Sequence, residues 1–349
     1  MATISPRPEG APATDRRIPS IRDVAAMADV SHQTVSRVLN APDRVSPATR
    51  ARVERAIDVL GFRPNVAARA LRSHHTRVVG VLVASSSLFV AMDGLSTLEL
   101  ALRRHGFRLL VAGVHGGDFA AMSQSVEPLL AYGVDALVVA ANERSAGDLA
   151  RELARRMPVV ALQPGISVDD GLSSVAIDFD SGVAAVVEHL VAGGARRLVH
   201  VPGPQNFSTI QARITAWSRE MTRRGLAAVI AQPVPMTGEG GYDAGRRLLD
   251  EGLPDAVFAV NDLVALGVIR ALAERGVRVP QDVAVVGVDD WPGAAHTTPS
   301  LSTLSQRFEE LGEVGAALVV EAMAGTPPRT ARIAPRLIVR ESSDLSAAR

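Results

Sequence analysis

Between residues 20 and 61, apolar positions recur at the spacing of three short helices. Each run follows a serine that can cap a helix, at Ser20, Ser31 and Ser46, and Gly61 can end the third run. The inward stripes are Ile21, Val24, Ala25 and Ala28, then Val35, Val38 and Leu39, then Val53, Ala56, Ile57 and Leu60. Asp29 lies between the first two helices, where Asp tolerates the left-handed backbone of a sharp turn. This pattern predicts a helix-turn-helix unit.

From Val78 onward the pattern changes to short apolar runs that alternate with amphipathic stretches. The runs are VVGVLVA, RLLVAGV, ALVVAA, PVVAL, SSVAIDF, RLVHVPG, AVFAVND and DVAVVGVDD. Short buried strands separated by helices predict an α/β body of doubly wound parallel sheets. The series divides into two sheets near residue 177. Ligands of such sheets bind beyond the carboxyl ends of the strands, so polar residues at those ends are the candidates for a binding site.

The distribution of charge separates the two parts of the chain. The whole chain has a formal net charge of zero, but residues 1–76 hold 12 Arg against seven acidic residues, and the remainder carries an excess of five acidic residues. A basic head on an acidic body indicates that the head alone meets a polyanion.

The second helix presents polar side chains that suit the edges of DNA bases. Gln33, Ser36 and Arg37 share its outward face, and His32 lies at its start. Arg pairs with guanine and Gln with adenine in a major groove. A helix face that served only solubility could carry glutamate equally well, so these residue types favour DNA binding. The alternative is a solvated face on a small helical cap.

The segment "IRDVAAMADVSHQTVSRVLNAPDRVSPATRARVERAIDVLGFRPNVAARALRSHHT" resembles the DNA-binding head and hinge of the lactose-repressor (LacI/GalR) family of bacterial transcription regulators, and the resemblance continues through nearly the whole chain. One departure is Asp29, where the family usually has Gly. The resemblance implies a hinge helix at Asn65 to Leu71 that pairs across a dimer in the minor groove, with Leu71 as the wedging leucine. The alternative for this segment is an ordinary linker.

The resemblance and the patterns together predict the domain organisation. We expect a disordered lead at 1–18, the helix-turn-helix domain at 19–63, a hinge at 64–77, a two-lobed sensor of periplasmic-binding-protein type at 78–342, and a tail at 343–349. Lobe 1 is expected to span about 78–176 and 305–336, and lobe 2 about 177–304 and 337–342. The residues expected to contact DNA are Ser20, Ile21, Ser31, His32, Gln33, Thr34, Ser36, Arg37, Asn40, Arg44, Thr49, Asn65, Ala68 and Leu71.

Polar residues at the ends of the body strands form the candidate effector site. Arg213, Asn261 and Asp289 match the family positions that hold ligand hydroxyls or polar edges, and a carboxylate, an amide and a guanidinium together suit a polyhydroxy ligand. Asp262 and Asp290 are expected mainly to cap helices. Phe89, Gln163, Met236 and Phe308 are further lining candidates. Because Gln163 and Met236 depart from the Asp and Trp of lactose-type sensors, a galactoside is not implied, and a purine-type co-repressor stays open.

Other classes of function fit the sequence less well. GxGxxG after the first body strand, GxxxxGK[ST] and GxSxG are all missing, the chain has no cysteine, and its eight histidines show no metal-ligand spacing, so we expect no catalytic, metal or cofactor site. The N-terminus has no apolar signal region, which disfavours a sugar transport protein and predicts a soluble, cytoplasmic protein. We therefore expect a repressor that binds a near-palindromic operator as a homodimer, since no leucine-heptad tail follows the last strand, and that responds to a small effector, most simply a sugar.

Overall fold

The structure is a computed structural model that describes residues 19–63, 75–84, 88–114 and 118–345, except for the side chains of Asn40 and of residues 84–93. The chain divides into two compact units, the head (residues 1–74) and the sensor unit (residues 75–349). Each unit is described separately below.

Three α-helices and one short 3₁₀ turn form the described part of the head. The helices are α1 Ile21–Met27, α2 His32–Asn40 and α3 Pro47–Leu60, and the 3₁₀ turn is Pro42–Arg44. The hydroxyls of Ser20, Ser31 and Ser46 accept hydrogen bonds from backbone N–H groups of the first turns, as predicted. Gly61 ends α3 at φ 61°, and Asp29 makes the turn between α1 and α2 at φ 53°.

The core of the head joins all three helices. Val24, Val35 and Val53 are fully buried, and Phe62 closes the core after α3. A small core of this kind fixes the rotation of α2 about its axis, because turning α2 would expose Val35 and Val38. The inward stripes expected from the sequence are therefore confirmed.

The sensor unit contains twelve strands and eight α-helices in the described ranges. The strands are β1 Val78–Ala84, β2 Arg108–Val114, β3 Ala136–Ala140, β4 Val159–Ala161, β5 Ser173–Ile177, β6 Leu198–Val201, β7 Val229–Ile230, β8 Ala256–Ala259, β9 Ala284–Val288, β10 Ser302–Ser305, β11 Thr330–Ile333 and β12 Arg336–Ile338. The helices are α4 Leu88–Arg104, α5 Phe119–Tyr132, α6 Arg144–Ala154, α7 Phe179–Ala192, α8 Ser208–Arg223, α9 Gly238–Glu251, α10 Asp262–Glu274 and α11 Phe308–Met323.

Two six-stranded sheets organise the sensor unit into two lobes. Lobe 1 has the strand order β11-β5-β4-β3-β1-β2, and lobe 2 has the order β12-β10-β9-β8-β6-β7. All pairs are parallel except β10 with β12. Central strands such as β8 and β9 are buried along their whole length, which explains their continuous apolar runs. The predicted α/β fold with doubly wound parallel sheets is confirmed.

The chain passes between the lobes three times, and the positions differ slightly from the expected ones. β10 extends through Ser305 in lobe 2, so the second passage follows that residue. The third passage precedes Arg336, the first residue of β12 in lobe 2. Ser343 was expected to begin a tail, but it is fully buried and its hydroxyl donates to Ser302 Oγ at 2.7 Å. Polar contacts of this kind leave no apolar signal in the sequence.

No helix in the described part of the chain is long and apolar enough to cross a membrane.

Candidate functional site

The head exposes one polar face of α2. His32, Gln33 and Arg37 are exposed, while Val35 and Val38 of the same helix are buried. The cap also involves predicted DNA-contact residues, since Ser31 Oγ lies 2.9 Å from Thr34 Oγ1 and accepts from Thr34 N at 3.1 Å. The capping bonds fix the start of the helix, so the side chains at its N-terminal end project from a rigid support.

The other predicted contact residues of the head lie at helix ends and in turns. Ser20 forms a capping box with Asp23, and Ile21 packs partly against the core. Arg44 is exposed in the 3₁₀ turn, and Thr49 is partly buried at the start of α3, where its hydroxyl accepts from Ser46 Oγ at 2.9 Å. Ser36 is partly buried on α2. The side chain of Asn40 and the residues Asn65, Ala68 and Leu71 lie outside the described residues.

A cavity of about 140 Å³ lies in the sensor unit between the two lobes. Lobe 1 and its helix α11 contribute Val83, Gly94, Leu95, Leu98, Ala140, Asn142, Leu162, Phe308 and Leu311 to the described lining. Lobe 2 and the chain leaving it contribute Phe207, Thr209, Ile210, Arg213, Met236, Val260, Asn261, Asp289 and Gln306. The cavity therefore lies beyond the carboxyl ends of the parallel strands, where the sequence places a ligand site.

Arg213 brings a buried positive charge to the wall of this cavity. It projects from α8 and is 3 % exposed, its Nη1 donates to the carbonyl of Val260, and its Cζ lies 4.7 Å from the ring centroid of Phe179. Its Nε has no hydrogen-bond partner within the described structure. Burial lowers the pKa of Arg213 to about 10, and the charge of Asp289 acts in the opposite direction. A buried N–H without an acceptor is costly to the folded state, so Arg213 is held here at the expense of stability.

Asp289 brings a carboxylate to the same cavity from the end of β9. Its backbone adopts φ 106°, a conformation that L-residues rarely take and that concentrates at functional sites. Gln306 Nε2 donates to its Oδ1. Burial raises the pKa of Asp289 to about 6, while Arg213 and the Gln306 hydrogen bond act to lower it.

Asn261 joins the cavity wall to helix α10. Its Oδ1 accepts from Val264 N at 2.8 Å and caps the helix, and its Nδ2 donates to the carbonyl of Met236 at 3.3 Å. The expectation that Asp262 caps this helix is therefore wrong. Asp262 is 1 % exposed and accepts from Thr303 Oγ1 at 2.6 Å and from Trp291 N at 2.7 Å. Its carboxylate thus links the start of α10 to β10 and to the loop after β9, and these contacts stabilise the elements that carry Asn261 and Asp289.

Asp290 does not cap a helix either. Its Oδ1 accepts from Arg340 Nη2 at 2.8 Å, and its backbone is left-handed at φ 58°. The strand β9 is followed by a loop and a 3₁₀ turn at Ala294–His296, so no α-helix begins here.

Comparison with known proteins agrees with both units. A family profile described as "Bacterial regulatory proteins, lacI family" matches residues 20–65, and a periplasmic binding protein-like domain matches residues 187–343. The ribose operon repressor of Escherichia coli (strain K12) is 34% identical over 305 residues, which cover 84% of this chain and 90% of that repressor. The chain belongs to the lacI family.

Solved structures of relatives resemble this lacI-family protein along most of its length. A lac repressor dimer bound to operator and the anti-inducer ONPF gives a TM-score of 0.85 at 27% identity and covers 94% of this chain and 99% of its own. A complex of the transcriptional regulator CelR with cellobiose gives a TM-score of 0.67 at 31% identity and covers 93% and 99%. The family expected from the sequence is thus confirmed.

The lacI-family protein brings most of the predicted effector residues together. Arg213, Met236, Asn261, Asp289 and Phe308 all line the cavity. Gln163 was also expected to line it, but it is 2 % exposed, and its amide bonds Ala141 O and Gly147 N at 3.0 Å each, in the orientation that satisfies both atoms. Gln163 therefore does not line the cavity, and its side chain bonds the backbone of lobe 1 at Ala141 and Gly147 instead. The side chain of Phe89 lies outside the described residues.

Sequence reasoning missed several residues of the lacI-family cavity. Asn142 follows β3, Thr209 lies in the first turn of α8, and Gln306 follows β10. The position of Asn142 near a strand end was a usable signal, because ligands of parallel sheets bind beyond the carboxyl ends of the strands. Most of the apolar lining carried no usable signal, since Leu95, Leu98 and Leu311 follow the same helical periodicity as core residues.

The lobes of the lacI-family protein also meet beside the cavity. Glu143 and Phe207 form an antiparallel bridge, and the carbonyl of Asn142 accepts from Ser208 Oγ at 2.9 Å. Glu143 is 5 % exposed and burial raises its pKa. In the described ranges, no group of three or more His, Cys, Asp or Glu side chains is arranged to hold a metal ion.

Proposed function

We propose that this protein is a transcription repressor whose affinity for its operator is controlled by a small effector, most simply a sugar, bound between the two sensor lobes. The observation that carries the effector site is the cavity between the lobes, which Arg213, Asn261 and Asp289 line together. A guanidinium, an amide and a carboxylate together offer donors and acceptors to the hydroxyls of an effector. The relatives include a regulator solved with cellobiose, which supports a sugar.

The proposed interface with DNA is the polar face of α2. His32, Gln33 and Arg37 enter the major groove, where Arg37 reads guanine and Gln33 reads adenine. Supporting contacts to the phosphates come from Arg44 and the first turn of α3, and hinge contacts in the minor groove come from Asn65, Ala68 and Leu71.

The proposed working form is a homodimer in the cytoplasm. Two heads would read two half-sites of a near-palindrome, because a two-fold symmetric protein matches a two-fold symmetric operator. A lac repressor dimer bound to operator is among the structural relatives, which supports this arrangement. No cofactor and no enzymatic step enter this function.

The test begins with operator selection from a random duplex library, followed by fluorescence anisotropy with and without candidate effectors. The expected results are a near-palindromic site and a sugar that changes the affinity for it by roughly 5-fold to 150-fold, the usual range of allosteric coupling. If a nucleobase changes the affinity and no sugar does, the effector is of purine type. Binding without any sequence preference would contradict the proposed function.

Variants at the cavity separate the effector site from DNA binding. Arg213→Ala and Asp289→Asn are expected to weaken effector binding by about 10-fold to 150-fold each, because each removes a charge-assisted hydrogen bond of ~1.5–3 kcal/mol. Operator affinity without effector should remain within about twofold, a difference below ~0.5 kcal/mol. Circular dichroism shows whether each variant is folded. A normal effector response in both folded variants would show that the effector binds elsewhere.

A further inference from the structure

Two consecutive residues after β9 hold a backbone conformation that side chains disfavour. Asp289 has φ 106° and Asp290 has φ 58°. Positive φ is costly for residues other than glycine, so such a pair persists only where the surrounding structure holds it in place. Asp289 lines the cavity, and the carboxylate of Asp290 bonds Arg340 instead. The contacts that hold this turn therefore also set the direction of the Asp289 carboxylate.

Hydrogen bonds fix the backbone of the turn from the side of β10. Asp289 N donates to the carbonyl of Leu304 at 3.1 Å, and Asp290 N donates to Thr303 Oγ1 at 3.1 Å. Both acceptors belong to β10. Gln306 Nε2 donates to the carboxylate of Asp289 but does not restrain the backbone. The side chain of Asp290 is held from a distant part of the chain.

Arg340, 50 residues later in the chain, supplies that restraint. Its Nη2 donates to Asp290 Oδ1 at 2.8 Å, and its Nη1 donates to the carbonyl of Leu301 at 2.7 Å. Its backbone is fixed as well, because Arg340 N donates to Ser302 Oγ at 2.8 Å and the same hydroxyl donates to the carbonyl of Arg340 at 2.9 Å. The side chains of Arg340 and Asp290 are 19% and 27% exposed, so water screens the ion pair only in part.

The residues that follow Arg340 are anchored to lobe 2. Ser342 Oγ donates to a carbonyl of β9 at 2.7 Å, and Ser343 Oγ lies 2.8 Å from His189 Nε2 on α7. Both serines are fully buried. Arg340 therefore reaches Asp290 from a fixed support.

We propose that Arg340 is a positioning residue of the effector site, which holds Asp290 and thereby keeps the carboxylate of Asp289 directed into the cavity. This inference rests on the proposed function, because the site it concerns is the effector site. Without the ion pair, the two residues relax from positive φ and the carboxylate of Asp289 turns out of the cavity. Arg340 is not among the described lining residues, so its effect on an effector passes through Asp289.

Arg340→Gln tests the inference, because glutamine keeps part of the aliphatic stem and removes the charge. The position of Asp289 is read from its own titration, by ¹³C NMR of the full-length protein labelled at the aspartate carboxyl carbons, with the signal assigned by Asp289→Asn. In the wild type, burial raises the pKa of Asp289 to about 6. In Arg340→Gln the carboxylate becomes hydrated, so its pKa should fall toward the ~3.9 of an exposed aspartate.

The sign of this change separates movement from simple electrostatics. Loss of a nearby positive charge would by itself raise the pKa of Asp289, so a fall reports that the carboxylate has moved. Arg340→Lys keeps the charge and should leave the pKa close to that of the wild type. Arg278→Gln is the matched control, since Arg278 pairs with Asp282 at 2.7 Å, also in lobe 2 but before β9, and its loss should leave the pKa of Asp289 unchanged. An unchanged or raised pKa in folded Arg340→Gln would overturn the inference.

Trp291 directly follows the turn and gives a second readout. The chain has two tryptophans, so protein labelled with 5-fluorotryptophan gives two ¹⁹F signals, and the fully buried Trp217 is the internal control for folding. In Arg340→Gln the Trp291 signal should shift while the Trp217 signal stays in place. A shift of both signals would show a loss of folding, and Asp290→Asn then decides the outcome.

Asp290→Asn breaks the same ion pair from the other side. Asparagine tolerates left-handed backbone as aspartate does, so the change removes the charge and adds no strain to the turn. Because loss of a nearby negative charge itself lowers the pKa of Asp289, the readout in this variant is the ¹⁹F signal of Trp291. An unchanged Trp291 signal would overturn the inference.

Sugar binding distinguishes this inference from the proposed function. Isothermal titration calorimetry with D-ribose and with cellobiose compares the wild type, Arg340→Gln and Arg278→Gln. A sugar that binds the wild type should bind Arg340→Gln at least about tenfold more weakly, a difference of ~1.4 kcal/mol, and should bind the control equally well. Equal affinity in folded Arg340→Gln would overturn the inference and leave the proposed function intact. If no sugar binds the wild type, the sugar effector is contradicted, while the titration of Asp289 still decides the role of Arg340.

Discussion

Arg213 and Asp289 place opposite charges on one cavity wall, and burial disfavours the charged form of each side chain. It lowers the pKa of Arg213 and raises that of Asp289, while each charge stabilises the other. The hydrogen bonds from Arg213 to Val260 O and from Gln306 to Asp289 hold the two groups in position before any ligand is present. A preorganised pair of this kind loses little entropy on binding.

Arg37 carries the first prediction at the scale of single residues. Arg37→Ala is expected to weaken operator binding by roughly 1–3 kcal/mol and to relax the preference at one base pair per half-site, since a bidentate contact with guanine is lost. Competition titrations with single-base operator variants measure both effects. Arg50→Ala is the control, because Arg50 is an exposed head residue paired with Glu54 on α3. Equal loss on operator and scrambled DNA in Arg37→Ala would contradict base readout.

Asp262 makes the stability of the protein depend on pH. Burial is the largest cause of the shift and raises the pKa of Asp262 to about 7, while the hydrogen bond from Thr303 acts to lower it. An unfolded Asp titrates near ~3.9, so between about pH 4 and pH 7 the native state binds one proton more than the unfolded state. The free energy of unfolding therefore falls as pH rises through that window, by at most ~1.4 kcal/mol per pH unit from this group. Asp289, with its pKa raised to about 6, acts in the same direction over the lower part of the window.

Urea unfolding of wild type and Asp262→Asn at several pH values tests this prediction. In the variant, the free energy of unfolding should no longer fall between about pH 6 and pH 7, because the amide stays neutral and can still bond Thr303 and Trp291. Tryptophan fluorescence, which comes from Trp217 and Trp291, reports the unfolding of lobe 2. Asp250→Asn, an exposed position on α9, is the control. The same pH dependence in wild type and Asp262→Asn would contradict the assignment to Asp262.

At the scale of elements, close packing of α9 and α10 positions the lobe 2 wall. A Cβ on Gly267 would lie 2.0 Å from the carbonyl oxygen of Gly238, and one on Gly241 would lie 2.1 Å from that of Val264. The two helices therefore approach at a distance that only glycine allows. Asn261 and Met236 lie immediately before these helices, so their hydrogen bond depends on the same approach.

Gly267→Ala is expected to destabilise the protein by about 1–3 kcal/mol, because the added methyl overpacks two helix backbones. Gly238→Ala is the matched control at the same interface, since its Cβ would meet Leu263 O at an ordinary 3.8 Å. Chemical denaturation measures the free energy of unfolding of both variants. Effector affinity should fall in Gly267→Ala more than in the control. Equal stability of the two variants would show that α10 can move away without cost.

At the scale of the whole molecule, the charge asymmetry predicts different salt dependences for the two binding events. Operator affinity should fall by ~10³-fold or more between 50 and 200 mM salt if about six or more phosphates are contacted. Effector affinity should change by less than about twofold over the same range, because buried charges are screened little by salt. Anisotropy and calorimetry at matched salt concentrations measure the two. A flat salt dependence of operator binding would contradict the basic head as the DNA-binding surface.

The sequence by itself determined the elements of the head and eight of the twelve strands in the described part of the body, since β7, β10, β11 and β12 match none of the apolar runs. Caps at Ser20, Ser31 and Ser46 and the turn at Asp29 depend on neighbouring residues only, so local chemistry sufficed. The position of Arg213, Asn261 and Asp289 in one cavity also followed from sequence, through the resemblance to a known family and because strand ends of parallel sheets meet at one edge.

Only the tertiary structure decided which way individual side chains turn after a strand. Gln163 turns into lobe 1 and Asp262 turns behind the cavity, although both follow strands as Asp289 does. Their partners, Gly147 and Thr303, are 16 and 41 residues away along the chain, and no local pattern encodes such contacts. The apolar lining of the cavity was likewise hidden, because a leucine that faces a cavity and one that faces the core have the same helical spacing.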